Sequence, residues 1–321
     1  MSMEPPAYSY TNRKLGFLQR ISEANSLLRF YRGDVGEQVR EHLSRMNAAR
    51  VAIETTLGEG LSGKDILEIG PGQQLRQTRY FAADNNVVAI DLDEVVEGFK
   101  PSALLRALRM NGPIRFSKTV ARKALGIDRR FVAELARQLP STRTGHPEVL
   151  QRDACATGLS SRSFDCITSF SVFEHLADPE AVLHEIDRLL RPGGVSYHIV
   201  HIYTSDSGAH DVRTFVRNRS TLPYWCHLQA GKAHLSAPNC YVNKLSLREW
   251  TNLFERCWPA VAIRLLRDSD VEKIAALAEL RAHGLLREYS DEELLTSALE
   301  VTWKKAPTPE PQANCCERVV K

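Results

Sequence analysis

The chain has 321 residues, enough for one large α/β domain with insertions or for two modest domains, either of which could bury a full core. Hydrophobic residues make up 43% and charged residues 25%, ordinary values that exclude wholesale disorder. A net charge of +3 is too small to argue for a nucleic-acid partner, although a local basic patch can hide beneath it. The opening residues contain no apolar leader, and no stretch approaches the roughly 18 apolar residues of a membrane span, which points to a cytoplasmic protein. The seven cysteines (Cys155, Cys166, Cys226, Cys240, Cys257, Cys315 and Cys316) lack the paired spacing of a zinc or redox motif and read as free thiols.

In chain order, residues 1–36 form an N-terminal extension, 37–305 a single α/β domain and 306–321 a disordered tail rich in Pro and polar residues. Val39, Leu43, Met46, Val51 and Ile53 recur at helical spacing between Glu37 and Leu57, with Gly58 and Gly60 as a stop. Strands are predicted over Asp65–Ile69, Asn86–Ile90, Phe164–Phe170 and Val195–Ile202, and helices over Gln73–Ala83 and Pro179–Leu190. Short apolar runs separated by helices indicate a mostly parallel sheet with helices on both faces. Val261–Leu266 and Ser297–Trp303 read as two further strands.

Two segments interrupt this rhythm. Residues 95–147, after the second strand, form a helical insert whose bases, Arg122, Lys123, Arg129 and Arg130 among them, far outnumber its acids. Leu104, Leu105, Leu108, Ile114, Val120, Leu125, Phe131, Val132 and Leu135 are spaced so that short helices can bury one face and expose the Arg and Lys. The insert is either a packed cap with a solvated face or a site for an acidic substrate or an anionic membrane surface. Residues 203–245, after the fifth strand, are rich in His, aromatic, Asn, Ser and Pro residues and are a candidate substrate lid. Within it Tyr224, Trp225 and Tyr241 line an aromatic pocket or form the insert's own core.

The strongest local signal is Glu68-Ile69-Gly70-Pro71-Gly72-Gln73-Gln74, a glycine turn between a buried strand and a helix. Glycine permits conformations closed to other residues and lets a ligand approach the backbone. The second strand then ends in Asp91, a carboxylate suited to ribose hydroxyls at the carboxyl end of a parallel sheet. A dinucleotide fingerprint requires a third glycine where this chain has Leu75. Glu68 suits a cationic amino-acid group better than a pyrophosphate.

These residues, with Val87–Asp93, Phe164–Ser169, Phe173-Glu174-His175 and Leu190-Arg191-Pro192-Gly193-Gly194, resemble the class I S-adenosylmethionine-dependent methyltransferases. The resemblance implies a Rossmann-like sheet of seven strands, the last antiparallel, with helices on both faces, and S-adenosyl-L-methionine as cofactor. It places Glu68, Gly70, Gly72 and Gln74 at the cofactor turn and Asp91 with Leu92 at the ribose. Asp153 with Ala154 falls at the adenine, and Ser169 and Phe170 near the methionine portion. Gln74 stands where the family often has a further glycine.

His175 and His201 follow strands whose ends border the methyl donor, and each is either a general base or a structural group. His198, His201 and His210 with Asp211 collect at the end of the fifth strand without the spacing of a helical metal motif, so no metal is predicted. Asn243-Lys244-Leu245-Ser246 leads into a helix capped by Ser246 and Glu249. The absence of an Asn-Pro-Pro-Tyr tetrad favours O-methylation of a small-molecule or glycan-type acceptor. An NAD-dependent oxidoreductase and a non-catalytic cofactor-binding module are the competing readings.

Overall fold

The computed structural model describes residues 33–139, 147–215, 222–238 and 240–307, with Gly16 and Asn25 besides. Nearly all of the expected N-terminal extension and tail, including Cys315 and Cys316, lie outside the described residues. Helix α1 (Val35–Leu57) opens where the Asp34 carboxylate accepts the Gly36 and Glu37 N–H groups, and it ends on Gly58 in the left-handed region. The chain continues through β1 (Asp65–Ile69), α2 (Arg76–Phe81), β2 (Asn86–Asp91), α3 (Pro101–Ala124), α4 (Ile127–Gln138), β3 (Glu148–Gln151) and β4 (Phe164–Phe170). It then forms α5 (Pro179–Leu189), β5 (Leu190–His201), α6 (Leu247–Cys257), β6 (Ala262–Arg267), α7 (Val271–Ala282), α8 (Asp291–Leu295) and β7 (Thr296–Lys304).

The strands make one seven-stranded sheet in the order β3-β2-β1-β4-β5-β7-β6. Pairing is parallel from β3 to β5, and β7 runs antiparallel to both neighbours. This is the Rossmann-like methyltransferase fold that the motifs imply. Successive residues alternate between faces. Leu67 and Ile167 join a core with Leu183, Ile186 and Trp250 of α5 and α6, and Ile66 and Cys166 pack with Ile53 and Phe81 of α1 and α2. Chain order reverses between β1 and β4, so their carboxyl ends open the crevice where such sheets bind ligands.

Several boundaries differ from expectation. β3 was not anticipated because its four residues give too short a pattern to separate from a loop. β5 begins at Leu190, which pairs with Phe164, and a register shift absorbs the extra residues before Val195 pairs with Cys166. Helix α2 starts only at Arg76 because Leu75, fully buried, takes a left-handed conformation (φ 52°).

In the basic insert, α3 is broken at Gly112 (φ 76°) before Pro113, and α4 packs Phe131 and Leu135 on Val39 of α1. The kink turns the apolar pattern of α3. Ala103, Ala107 and Thr119 are buried, whereas Leu105, Leu108 and Leu125 face outward, contrary to the single-face expectation. Arg122 and Lys123 turn inward to Asp128, which removes them from the exposed basic set, and Arg129 and Arg130 remain exposed.

The insert after β5 is packed rather than loose where it is described. Trp225 is fully buried against Leu277, Leu286 and Leu294, so it belongs to the core. A Cβ on Gly208 would lie 2.1 Å from the Tyr203 carbonyl oxygen, so only glycine fits that turn. Near its end, Asn243 Nδ2 donates to the carbonyls of Phe173 (2.9 Å) and Leu176 (3.1 Å), and the Asn243 N–H donates to the Glu174 carbonyl (2.8 Å). Asn243→Ala removes the side-chain half of this clamp and should cost about 1–3 kcal/mol by taking the side-chain donor from the Leu176 carbonyl, while the Phe173 carbonyl keeps the Leu176 N–H. Urea unfolding measures that loss, and hydrogen exchange should locate new mobility at residues 173–176. Wild-type stability together with unchanged exchange there would contradict the clamp.

Candidate active site

The glycine turn sits at the end of β1, where the Gly70 N–H donates to the Ile90 carbonyl (2.8 Å) and draws the ends of β1 and β2 together. Gly70 and Gly72 both have positive φ (69° and 65°). Their surroundings differ. A Cβ on Gly70 would lie 2.5 Å from Val172 Cγ2, whereas none on Gly72 would meet any atom within 4 Å. Gly70 is therefore glycine for packing as well as conformation, and Gly72 leaves open space above the backbone for a ligand.

Two carboxylates flank that space. Glu68 is 1% exposed, and its Oε2 has no hydrogen-bond partner. Burial, reinforced by the nearby charge of Asp91, raises its pKa to about 8 against the pull of Thr78. Asp91 is raised to about 6, mainly by burial and by the charge of Asp93, although its Oδ1 accepts the Asp93 N–H at 2.9 Å. Asp93 is ion-paired with Arg115 of α3, so the insert helps to fix this corner. An uncompensated buried acid beside an open glycine turn suits a ligand carrying a cation and ribose hydroxyls, which S-adenosyl-L-methionine is.

The other predicted cofactor residues divide. Leu92 stays at this corner, its carbonyl accepting from Gln151 (2.9 Å). Arg152 N donates to the Asp91 carbonyl (3.0 Å), which sets exposed Asp153 and buried Ala154 just beyond the end of β3. Gln74, by contrast, donates to Asp128 of α4 (2.9 Å) and ties the turn to the basic insert. Ser169 is fully buried and hydrogen-bonded to His198 Nδ1 (2.7 Å), whose Nε2 meets Ser196 Oγ (2.5 Å), so its hydroxyl is occupied in the core. Phe170 packs between Phe81 and Tyr197 on the α1 side of the sheet.

His175 and His201 each lie beside His210. The turn Phe173–His175 follows β4, with Phe173 buried under Trp250 and Phe254 and Glu174 1% exposed. The His175 Nδ1–H donates to the Tyr241 carbonyl (2.7 Å), which leaves Nε2 as the lone-pair nitrogen. His210, at a left-handed φ of 54°, stacks edge-on to His175 with ring centres 4.7 Å apart and lies 5.5 Å from His201. Burial lowers His175 and His201 to about 4 and His210 to about 2, and it raises Glu174 to about 8. All three imidazoles are thus neutral at physiological pH.

Sequence reasoning placed His210 with His198 and His201 but missed Glu174 beside them, since it lies on a different turn that only folding brings near, and His198 instead bonds Ser169 and Ser196. Asp211 does not join them. It pairs with Arg213 (2.6 Å) and accepts the Ala237 N–H (2.8 Å). Outside this cluster, a 450 Å³ cavity opens beside the start of α5, lined by Asp178, Glu180, Tyr241, Asn243, Glu249 and Arg256 among others.

A family model described as a methyltransferase domain matches residues 112–197, from the kink of α3 to the middle of β5. The glycine turn and Asp91 lie before that stretch. No curated protein matches the chain. Among solved structures, the YcgJ protein of Bacillus subtilis is similar at 16% identity over 82% of this chain and 99% of its own, with a TM-score of 0.41. An S-adenosylmethionine-dependent methyltransferase from Mesorhizobium loti is similar at 17% identity over 79% and 96%, with a TM-score of 0.42. The strand order, with β7 as its antiparallel strand, and the methyltransferase-domain match over residues 112–197 support a class I S-adenosylmethionine-dependent methyltransferase.

Proposed function

We propose that the protein methylates an oxygen of a small-molecule or glycan-type acceptor. The observation that carries the cofactor half of this reading is the open glycine turn at Gly72 flanked by the buried Glu68 and the half-buried Asp91. When bound, S-adenosyl-L-methionine supplies a methyl carbon already activated by its sulfonium. The chain's own task is then to align the acceptor, exclude water and handle one proton, and orientation alone can contribute roughly 7 to 11 kcal/mol. Asp91 would hold the ribose, and Glu68 would face the cationic amino-acid end. Leu75, buried and left-handed where a dinucleotide site needs glycine, disfavours the NAD-dependent reading.

The oxygen half rests on the neutral imidazoles of His175 and His201 at the ends of β4 and β5. A neutral imidazole can accept a hydroxyl proton, which a positioned base makes worth about a hundredfold to ten-thousandfold in rate. The insert packed over them excludes water. Screening hydroxyl-bearing acceptors for release of the demethylated cofactor tests this half. Turnover should fall in His175→Gln and His201→Gln with cofactor affinity kept, and full activity in the double variant would defeat it.

We also propose an anionic membrane surface as a partner of the basic insert. Phe99, just before α3, and Leu105, Leu108 and Met110 within it are exposed, interleaved with exposed Lys100 and Arg109. Apolar side chains among cations are the chemistry of interfacial helices. Flotation with vesicles containing acidic lipid should carry the protein, weaken as salt rises and be lost in Leu105→Glu/Leu108→Glu. Failure to float at low salt would leave the insert as a structural cap.

For the cofactor, calorimetry with the demethylated product should show binding that Asp91→Ala weakens by about 1.5–3 kcal/mol, the value of hydrogen bonds to a charged acceptor. Undiminished affinity in a folded Asp91→Ala chain would remove the ribose from Asp91.

Glu68 yields a prediction for the cofactor-free protein. Its folded pKa of about 8 exceeds the ordinary 4.5, so the folded state retains a proton that the unfolded chain releases. Stability is therefore greatest below about pH 4.5 as far as Glu68 is concerned and falls as pH rises to about 8, at about 1.4 kcal/mol per unit at most. Thermal unfolding of Glu68→Gln should show a shallower decline between pH 5 and pH 8. An unchanged slope would mean that Glu68 is not the titrating group.

A further inference from the structure

Metal-type donors converge at the carboxyl ends of β4 and β5 from four separate segments. Glu174 and His175 come from the turn after β4, His201 is the last residue of β5, and His210 and Cys240 lie early and late in the insert. The ligand atoms of Glu174, His201 and His210 all lie within 4.8 Å of one another, as do those of His175, His210 and Cys240. His210 Nε2 is 3.8 Å and His175 Nε2 3.9 Å from the same Glu174 oxygen, Oε1. Those separations are too long for hydrogen bonds. They are near the ~3.4 Å edge of a tetrahedron of ligands around a zinc-sized ion with bonds of ~2.1 Å.

The groups are also prepared for an ion. Neither oxygen of the buried Glu174 has a hydrogen-bond partner, and His201 Nδ1 is buried without one. An acid held in that state stays protonated unless a bound cation displaces the proton and compensates its charge. His175 already has the arrangement of a metal-bound imidazole, with Nδ1–H fixed on the Tyr241 carbonyl and Nε2 turned to Glu174. His210 reaches the cluster only through a backbone conformation unfavourable for a residue with a Cβ. A second group of donors, Glu180, His184 and Cys257, has none of this. His184 is exposed and Glu180 is paired with Arg256 at 2.8 Å.

We propose that Glu174, His201 and His210 bind one divalent transition metal of zinc type, with His175 and the Cys240 thiol beside it. Imidazoles with a carboxylate suit zinc, iron(II) or cobalt(II) better than calcium or magnesium, which prefer all-oxygen sites. The bound ion joins the turn after β4, the end of β5 and the insert, reinforcing the Asn243 clamp. It goes beyond the methyltransferase reading and does not depend on it. In the metal-free chain the imidazoles are the proton acceptors proposed above, whereas a bound ion would take the lone pairs of its ligands, so the two roles belong to different states of the chain. The absence of any regular spacing among residues 174, 175, 201, 210 and 240 is why the sequence predicts no metal.

The test uses the full chain after chelator treatment, titrated with zinc and with cobalt(II). One equivalent of cobalt should give visible absorption that zinc abolishes, and zinc should raise the unfolding temperature. Glu174→Gln and His210→Ala each remove one of the three protein ligands and should weaken binding ~100-fold or more, at least the loss seen when a partner of a ligand is removed. If His210→Ala does not fold, His201→Gln carries the same expectation. Asp91→Ala should lose cofactor affinity and keep the metal. Lack of stoichiometric binding by the wild-type chain, or equal binding by Glu174→Gln, overturns the site. Metal binding without cofactor binding in the wild-type chain would instead count against the methyltransferase reading alone.

Discussion

The close approach of Gly70 to Val172 sets the geometry on which the site depends. At that point the ends of β1 and β4 are so near that a methyl group on residue 70 would overlap the valine. A larger residue would separate the glycine turn from the Phe173–His175 turn, and with it the cofactor corner from the histidine cluster. The contact also explains why two glycines in one motif are not equivalent. Gly70 satisfies a packing limit inside the protein, and Gly72 leaves room outside it for a ligand.

The protein concentrates carboxyl groups with raised pKa values around this crevice. Glu68, Asp91 and Glu174 all have raised pKa values, each chiefly through burial, and unpartnered oxygens remain on Glu68 and Glu174. Several other acids are conventionally paired, as Asp65 and Asp165 are with Arg191, or Asp84 with Arg50. Uncompensated acid inside a folded protein opposes stability, so two such acids at one end of the sheet favour a cation there. One of those acids faces the cofactor turn, and another faces the three imidazoles.

Both insertions are secured to the site rather than hung from the sheet edge. The basic insert reaches it through Arg115 to Asp93 and through Gln74 to Asp128, while its α4 rests on α1. The insert after β5 reaches it through Asn243 on the turn after β4 and His210 in the cluster. Changes in either insert are thereby coupled to the cofactor corner by direct contacts.

The sequence by itself determined the sheet, the glycine turn, Asp91 and the two insert positions, because each is a local pattern. Buried strands show as short apolar runs, and the turn needs glycine wherever it occurs. Ser246 and Glu249 form the capping box that their three-residue spacing implies, for the same reason. Tertiary structure alone decided which face of α3 is covered, since the break at Gly112 turns the helix partway along its length. It also decided that Gln74 and Ser169 spend their polar groups on Asp128 and His198, partners 54 and 29 residues away. Most of all it decided the cluster of Glu174, His175, His201 and His210. No periodicity links residues from a turn, a strand end and an insert, and only the convergence of β4 and β5 beneath the folded insert brings their donor atoms within reach of one another.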